Sequence, residues 1–414
     1  MSSSARARWS TPGRGVIATA VLIAGCYSGS RSQTETQPTK RETPGPASDA
    51  TGPAEPTEPT DPKAADKRAC VRDALVGAAP HVHGLIRSVC AEWIERDIPG
   101  VALAVAEPGV DPFHLELGVR CFSEAARVEP STPFRFGSIS KPVTAALALA
   151  LVDEGRLSLT TTASAVVPGY ESPSGRDPAL AALLRHRSGL RDIAPEDLVE
   201  LDGAWLPALG RSEVGRPGEY HYSNAGYSLI GAMVASAAAR DYEALVAERV
   251  ATPLGLSSFT AEAKRAEAAA CGHLTHDEDR HPIPVREDLD FMPGDPRWMN
   301  PAGGVLGSAA DLASFALAIG TERLPGSAAM LEPGAPLPPE QRSPTRADER
   351  YGYGLRSWAL DADTRAYGHS GNNVAFAAEL LFVPGRRAVV LLANCGAGLP
   401  ASAAAAAQLL REPR

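Results

Sequence analysis

The chain has 414 residues, of which 44% are hydrophobic and 21% charged, and its net charge is -9. That length and composition suffice to bury a full-sized core, whereas the acidic balance, with a pI near 5.6, offers no basic field for nucleic acid. Beyond the amino terminus no run of 18 apolar residues is present to span a membrane as a helix.

The first residues read as an address. Arg6, Arg8 and Arg14 precede a short apolar run over residues 16–24, too close to the start and too brief for a stable membrane span. The run ends in Leu22-Ile23-Ala24-Gly25-Cys26, which resembles a bacterial lipobox; a general secretory signal in which Cys26 is incidental is the alternative. The resemblance implies lipidation at Cys26 and, with Tyr27 rather than Asp following it, an envelope protein anchored at the outer membrane or facing the periplasm. Residues 28–67 are rich in Pro, Thr, Ser, Glu and Gly and have almost nothing to bury, the composition of a flexible tether. The expected organisation is a signal segment over 1–26, a disordered tether over 27–68 and one globular unit over 69–414.

Residues 70–96 read as helical with an interruption at Pro80, and residues 101–107 and 113–122 as a strand pair around a Pro/Gly/Asp turn. Residues 144–152 are apolar all round before Asp153-Glu154-Gly155, which predicts a helix buried at the domain centre with Ser138 at its head. Residues 177–187 and two stretches within 227–249 read as further helices. Strands are expected at 365–368, 374–383 and 387–394, separated by Gly371 and by the Pro384-Gly385 turn, with an Ala-rich helix closing the chain. Strands near both ends with helices between them predict an α+β fold in which the termini share one antiparallel sheet around an inserted, mostly helical region.

Five cysteines follow Cys26, so at least one thiol is left over if the rest pair; Cys121 and Cys395 are expected on the first and last strands of one sheet. Cys271, His273, His276 and His281 are metal-ligand types, but residues 277–280 between them read as a solvated hairpin turn, and neither metal nor cofactor is expected.

Three short strings carry the chemistry. Ser138-Ile139-Ser140-Lys141 supplies a nucleophile and an amine three residues on, which share a face if the segment is helical. With 31 Ser and 5 Lys in the chain, roughly 0.4 such matches arise by chance, so the spacing alone is weak. The lysine says more: 35 of the 40 basic residues are Arg, and only a lysine can give up its proton near neutrality. Tyr222-Ser223-Asn224 adds a phenol and a carboxamide, and His369-Ser370-Gly371 a basic ring, a hydroxyl and a glycine that lets a substrate lie close to the backbone. His186 and Arg187 read as bracing a loop.

Together with Phe136-Gly137 ahead of Ser138, the block from Leu183 to Leu190, and Pro301-Ala302-Gly303-Gly304, these strings stand in the order found in the serine beta-lactamase-related family, which the chain resembles from about residue 71 onward. That family includes class C beta-lactamases, D,D-peptidases and similar esterases. The resemblance implies a beta-lactamase/transpeptidase-like fold and an acyl-enzyme on Ser138. Lys141 or Tyr222 would be the base, Asn224 would orient the substrate amide, and the backbone of Ser138 and Asn372 would hold the oxyanion. Where most beta-lactamases have Lys-Thr-Gly this chain has His369-Ser370-Gly371, which favours an esterase or D,D-peptidase over an efficient beta-lactamase. A substrate carboxylate would then meet a cation that titrates near neutrality. The expected partner is a small or peptidoglycan-derived molecule. The competing expectation is a module of the same fold that binds penicillin or peptidoglycan without turnover; an alpha/beta-hydrolase is disfavoured because no Gly-x-Ser-x-Gly elbow occurs.

Overall fold

Two segments, Gly100–Ala106 and Arg387–Ala393, are buried at every position. A strand can be so only when both faces of its sheet are covered. In the computed structural model, which describes residues 62–121, 126–175, 177–212, 214–262, 268–274, 283–285, 295–373 and 375–412, these two strands pair antiparallel at the sheet centre, with Leu103 opposite Leu391. The expected signal segment, Cys26 and most of the tether lie outside the described residues.

The principal helices are α1 (Pro62–Ala74), α2 (His83–Glu95), α3 (Ser140–Asp153), α4 (Asn224–Ala238), α5 (Ala309–Gly320) and α6 (Pro400–Leu409). The strands are β1 (Gly100–Ala106), β2 (Phe113–Cys121), β3 (Ala126–Arg127), β4 (Phe134–Arg135), β5 (Gly272–Leu274), β6 (Ile283–Val285), β7 (Leu306–Gly307), β8 (Ala335–Pro336), β9 (Ala347–Tyr351), β10 (Arg356–Ala359), β11 (Arg365–Asn373), β12 (Phe376–Val383) and β13 (Arg387–Ala393). Nine of them form one sheet in the order β3-β2-β1-β13-β12-β11-β10-β9-β8. The α+β expectation holds, with the first and last strands of the described chain, β1 and β13, paired in this sheet. The fold begins earlier than residue 69, because α1 starts at Pro62 and its Cys70 is disulfide-bonded to Cys90 on α2.

The period of two along the strands sorts the core into two layers. Ala102, Ala104, Val390 and Leu392 face the cluster that contains α3 and α5, whereas Val101, Leu103, Val389 and Leu391 face the cluster built with α2 and α6. Helix α3 is buried from Ser140 through Leu151, as its all-round apolar sequence requires.

Two local expectations are corrected. Gly371 does not end a strand: β11 runs through it, with Gly371 opposite Ala378. The helix expected over 177–187 shrinks to Leu180–Leu184, after which His186 turns the chain at φ 56°. Cys121 ends β2 and Cys395 follows β13, so both border the same sheet, but Cys121 is bonded to Cys271 and Cys395 is a buried free thiol. Cys271 is thereby unavailable to a metal, the His273 Nδ1 lies 3.0 Å from the Asn394 carbonyl, and His276 and His281 lie outside the described residues, as does the turn over 277–280.

Candidate active site

Three separate segments bring the reactive groups together. The short ribbon β4–β7 and the bond from the Phe136 amide to the Val305 carbonyl (2.9 Å) lead the chain into a tight turn, Gly137–Ile139, directly ahead of α3. Ser138 sits in that turn and Lys141 in the first turn of the helix, so their side chains meet: Nζ is 3.0 Å from the Ser138 Oγ. Tyr222, just before α4, donates its phenol proton to the same Oγ at 2.7 Å. The proposition that amine, phenol and hydroxyl converge is therefore met in space.

Lys141 is completely buried, and its other two contacts are the Asn224 Oδ1 at 2.8 Å and the Ala302 carbonyl at 2.9 Å. Burial lowers its pKa from 10.5 to about 7, with the Asp192 charge pulling the other way. The Asn224 amide is itself held at both ends, because its Nδ2 donates to Asp192 Oδ2 at 2.9 Å. Asn224 therefore orients the lysine through Oδ1, while the second proton of its Nδ2 is not used by the Asp192 bond.

His369 departs most from expectation. Only 2% of the residue is exposed. A carbonyl can only accept, so the 2.7 Å contact with the Ser370 carbonyl places the ring proton on Nδ1, and Nε2 accepts from Tyr351 OH at 3.0 Å. The Tyr351 oxygen in turn accepts from His186 Nε2 at 3.2 Å, and His186 Nδ1 accepts from the Ser223 amide at 3.1 Å. Each bond in this chain has one donor and one acceptor when both rings are neutral. Burial first, then the Lys141 charge, holds both histidines well below the ordinary value of 6.5. His369 is thus no cation for a substrate carboxylate, and His186 braces the Tyr222 segment from below, its ring centroid 4.4 Å from that of Tyr222.

Ser370 and Asn372 are exposed on β11, where residues 369–373 extend past the last pairing with β10, and the Asn372 side chain reaches the Gly396 carbonyl at 3.3 Å. The glycine between them has a sharper reason than substrate access. A Cβ at Gly371 would lie 1.8 Å from the Phe136 carbonyl oxygen and 3.3 Å from the Ser138 amide nitrogen. One at Gly137 would lie 3.1 Å from the Asn372 nitrogen. Two bare glycines let the nucleophile turn and β11 touch, which brings the backbones of Ser138 and Asn372 close together.

Sequence reasoning missed three contributors: Asp192, the Ala302 carbonyl and Tyr351. Ala302 lay in a block noticed only for its order, Asp192 stands two residues after the Leu183–Leu190 block, and Tyr351 had no neighbouring string to mark it.

Comparison with known proteins matches this architecture. Residues 73–412 fit the family described as beta-lactamase. Penicillin-binding protein 4 of Amycolatopsis lactamdurans is 32% identical over 234 residues, 54% of this chain and 59% of that protein, so the match spans little more than half the relative's length. The octameric penicillin-binding protein homologue from Pyrococcus abyssi superposes with a TM-score of 0.64 at 25% identity, covering 79% of this chain and 77% of that one. A class C beta-lactamase from Rhodobacter sphaeroides does so with a TM-score of 0.64 at 20% identity, covering 79% and 98%.

Proposed function

Because the chain belongs to the beta-lactamase family, we propose that it is a serine hydrolase that forms an acyl-enzyme on Ser138, acting on esters, D-Ala-type amides or beta-lactams. The observation that carries the reading is the set of partners around Lys141. A neutral amine has two protons and one lone pair. Asn224 Oδ1 and the Ala302 carbonyl can only accept, so they take the two protons, and the lone pair is left for the one partner able to donate, Ser138. With the amine neutral, this arrangement supports Lys141 as the base and Tyr222 as the donor at Oγ.

In the forward step the Ser138 Oγ bonds to the scissile carbonyl carbon while its proton passes to Lys141 Nζ. Negative charge on the carbonyl oxygen is assigned to the gap between the Ser138 and Asn372 amides. The carbon–nitrogen or carbon–oxygen bond then breaks, and the departing atom leaves with the proton, on the side where Tyr222 stands. Water reverses the sequence to release the acid. With His369 neutral the third string supplies no cation for a substrate carboxylate, which supports neutral esters over D-Ala-D-Ala peptides and beta-lactams alike.

Fluorescent penicillin should label the soluble protein covalently, and nitrocefin, a short-chain p-nitrophenyl ester and a D-Ala-D-Ala peptide should separate the three activities. Ser138→Ala should abolish labelling and turnover, and Lys141→Met should lower both by about a hundredfold or more. Absence of labelling and of turnover on all three substrates would sink the reading; labelling without turnover would make the site a trap.

A further inference from the structure

Asp192 stands outside the three strings, yet four donors converge on its carboxylate. Oδ1 accepts from the Asn224 amide at 2.5 Å, the Ala225 amide at 3.0 Å and the Ser223 hydroxyl at 3.2 Å, while Oδ2 accepts from Asn224 Nδ2 at 2.9 Å. The residue is exposed as a whole, but both oxygens are engaged. An amide whose Nδ2 is bound by a carboxylate cannot rotate without placing its own oxygen against that carboxylate. The orientation in which Oδ1 faces Lys141 is thus set from the far side of Asn224.

We propose that Asp192 is a positioning residue for acylation: through Asn224 it aims the Lys141 lone pair at Ser138, and it is the negative charge that offsets Lys141 once the serine proton has been taken up. This rests on the reading of Ser138 and Lys141 as nucleophile and base. The other groups around the amine are poor substitutes. Tyr222 and Tyr227 present ring faces, with Nζ 4.7 and 5.7 Å from their centroids. His186 and His369 are held neutral. Arg191 and His221, beside Asp192, carry the wrong sign or none.

The test reads the lysine directly. Only five lysines occur in the chain, so protein labelled with 13C at lysine Cε gives a short spectrum in which Lys141 is the signal lost in Lys141→Met. In the wild type its titration midpoint is expected at about 7. Removing the negative charge disfavours the ammonium, so Asp192→Asn should move that midpoint down by about one unit and slow penicillin acylation about tenfold. Asp192→Glu should restore the midpoint, and Ser223→Ala, which removes one hydroxyl from the carboxylate and the cap on Gly226 (2.9 Å), should lower the melting temperature with the midpoint unmoved. An unchanged midpoint in Asp192→Asn overturns the proposal, and if that variant does not fold, failure of Asp192→Glu to titrate like the wild type overturns it equally. A shifted midpoint in a protein that penicillin never labels would instead leave the coupling standing and remove the hydrolase.

Discussion

On the proposed mechanism Lys141 has to spend part of its time uncharged, and every contact it makes is consistent with that. Its acid limb is therefore the one activity should follow: below about pH 7 the amine holds its proton and cannot take another from Ser138. The neutral His369 adds a second expectation, opposite to the one its residue type suggests. If it were the cation for substrate carboxylates, kcat/KM for acidic substrates would drop above about pH 6.5 relative to neutral ones. Because burial keeps it uncharged, acidic and neutral p-nitrophenyl esters should share one limb near 7 and keep a constant ratio from about pH 5.5 to 9, as parallel profiles would show. The residue types of the three strings were legible in the sequence. The state of His369 was not, since it depends on Tyr351, 18 residues upstream on a strand that no pattern announced.

At the scale of elements the same division appears. Helix α3 was legible because an apolar surface on every side has only one place to go. Gly371 looked like a separator because its partner, the Phe136 carbonyl, comes from another part of the chain. Helix α6 was foreseen as a closing Ala-rich segment, yet it makes no side-chain cap of its own and begins at Pro400. Its first turn is capped from α2, where the buried Glu92 carboxylate accepts from the Ala401 amide at 2.9 Å and from the Ser402 amide at 2.7 Å and hydroxyl at 2.6 Å. Such a cap, 309 positions away in sequence, leaves no local signature. Glu92→Ala strands three donors at the positive end of the helix, two of them on the buried Ser402, and should cost about 2 kcal/mol in urea denaturation without changing the Lys141 limb.

For the whole molecule, buried titrating groups set a pH optimum of stability. His186 and His369 are depressed below 6.5 when folded, so as pH falls through that value the unfolded chain binds protons the native one refuses, and stability is lost. Lys141, at about 7 folded against 10.5 unfolded, extends the same trend upward: its penalty is full below 7 and disappears as pH rises toward 10.5. Tyr227 and Tyr351, raised well above 10, reverse the slope beyond that point, because only the unfolded chain then ionises them. The midpoint in urea should therefore be greatest between about pH 8 and 10, and Lys141→Met should flatten the rise between 7 and 10.

The order in which the pieces occur along the chain has one more outcome. Serine, amine and phenol have all been synthesised by residue 222, but the strand that presses against the serine turn is residues 365–373, and its neighbours on the way to β1 come later still. A ribosome-bound chain that stops short of them holds the complete set of reactive side chains with no strand to press against the serine turn. Such a fragment should be chemically inert until its last 50 residues, from Arg365 onward, emerge.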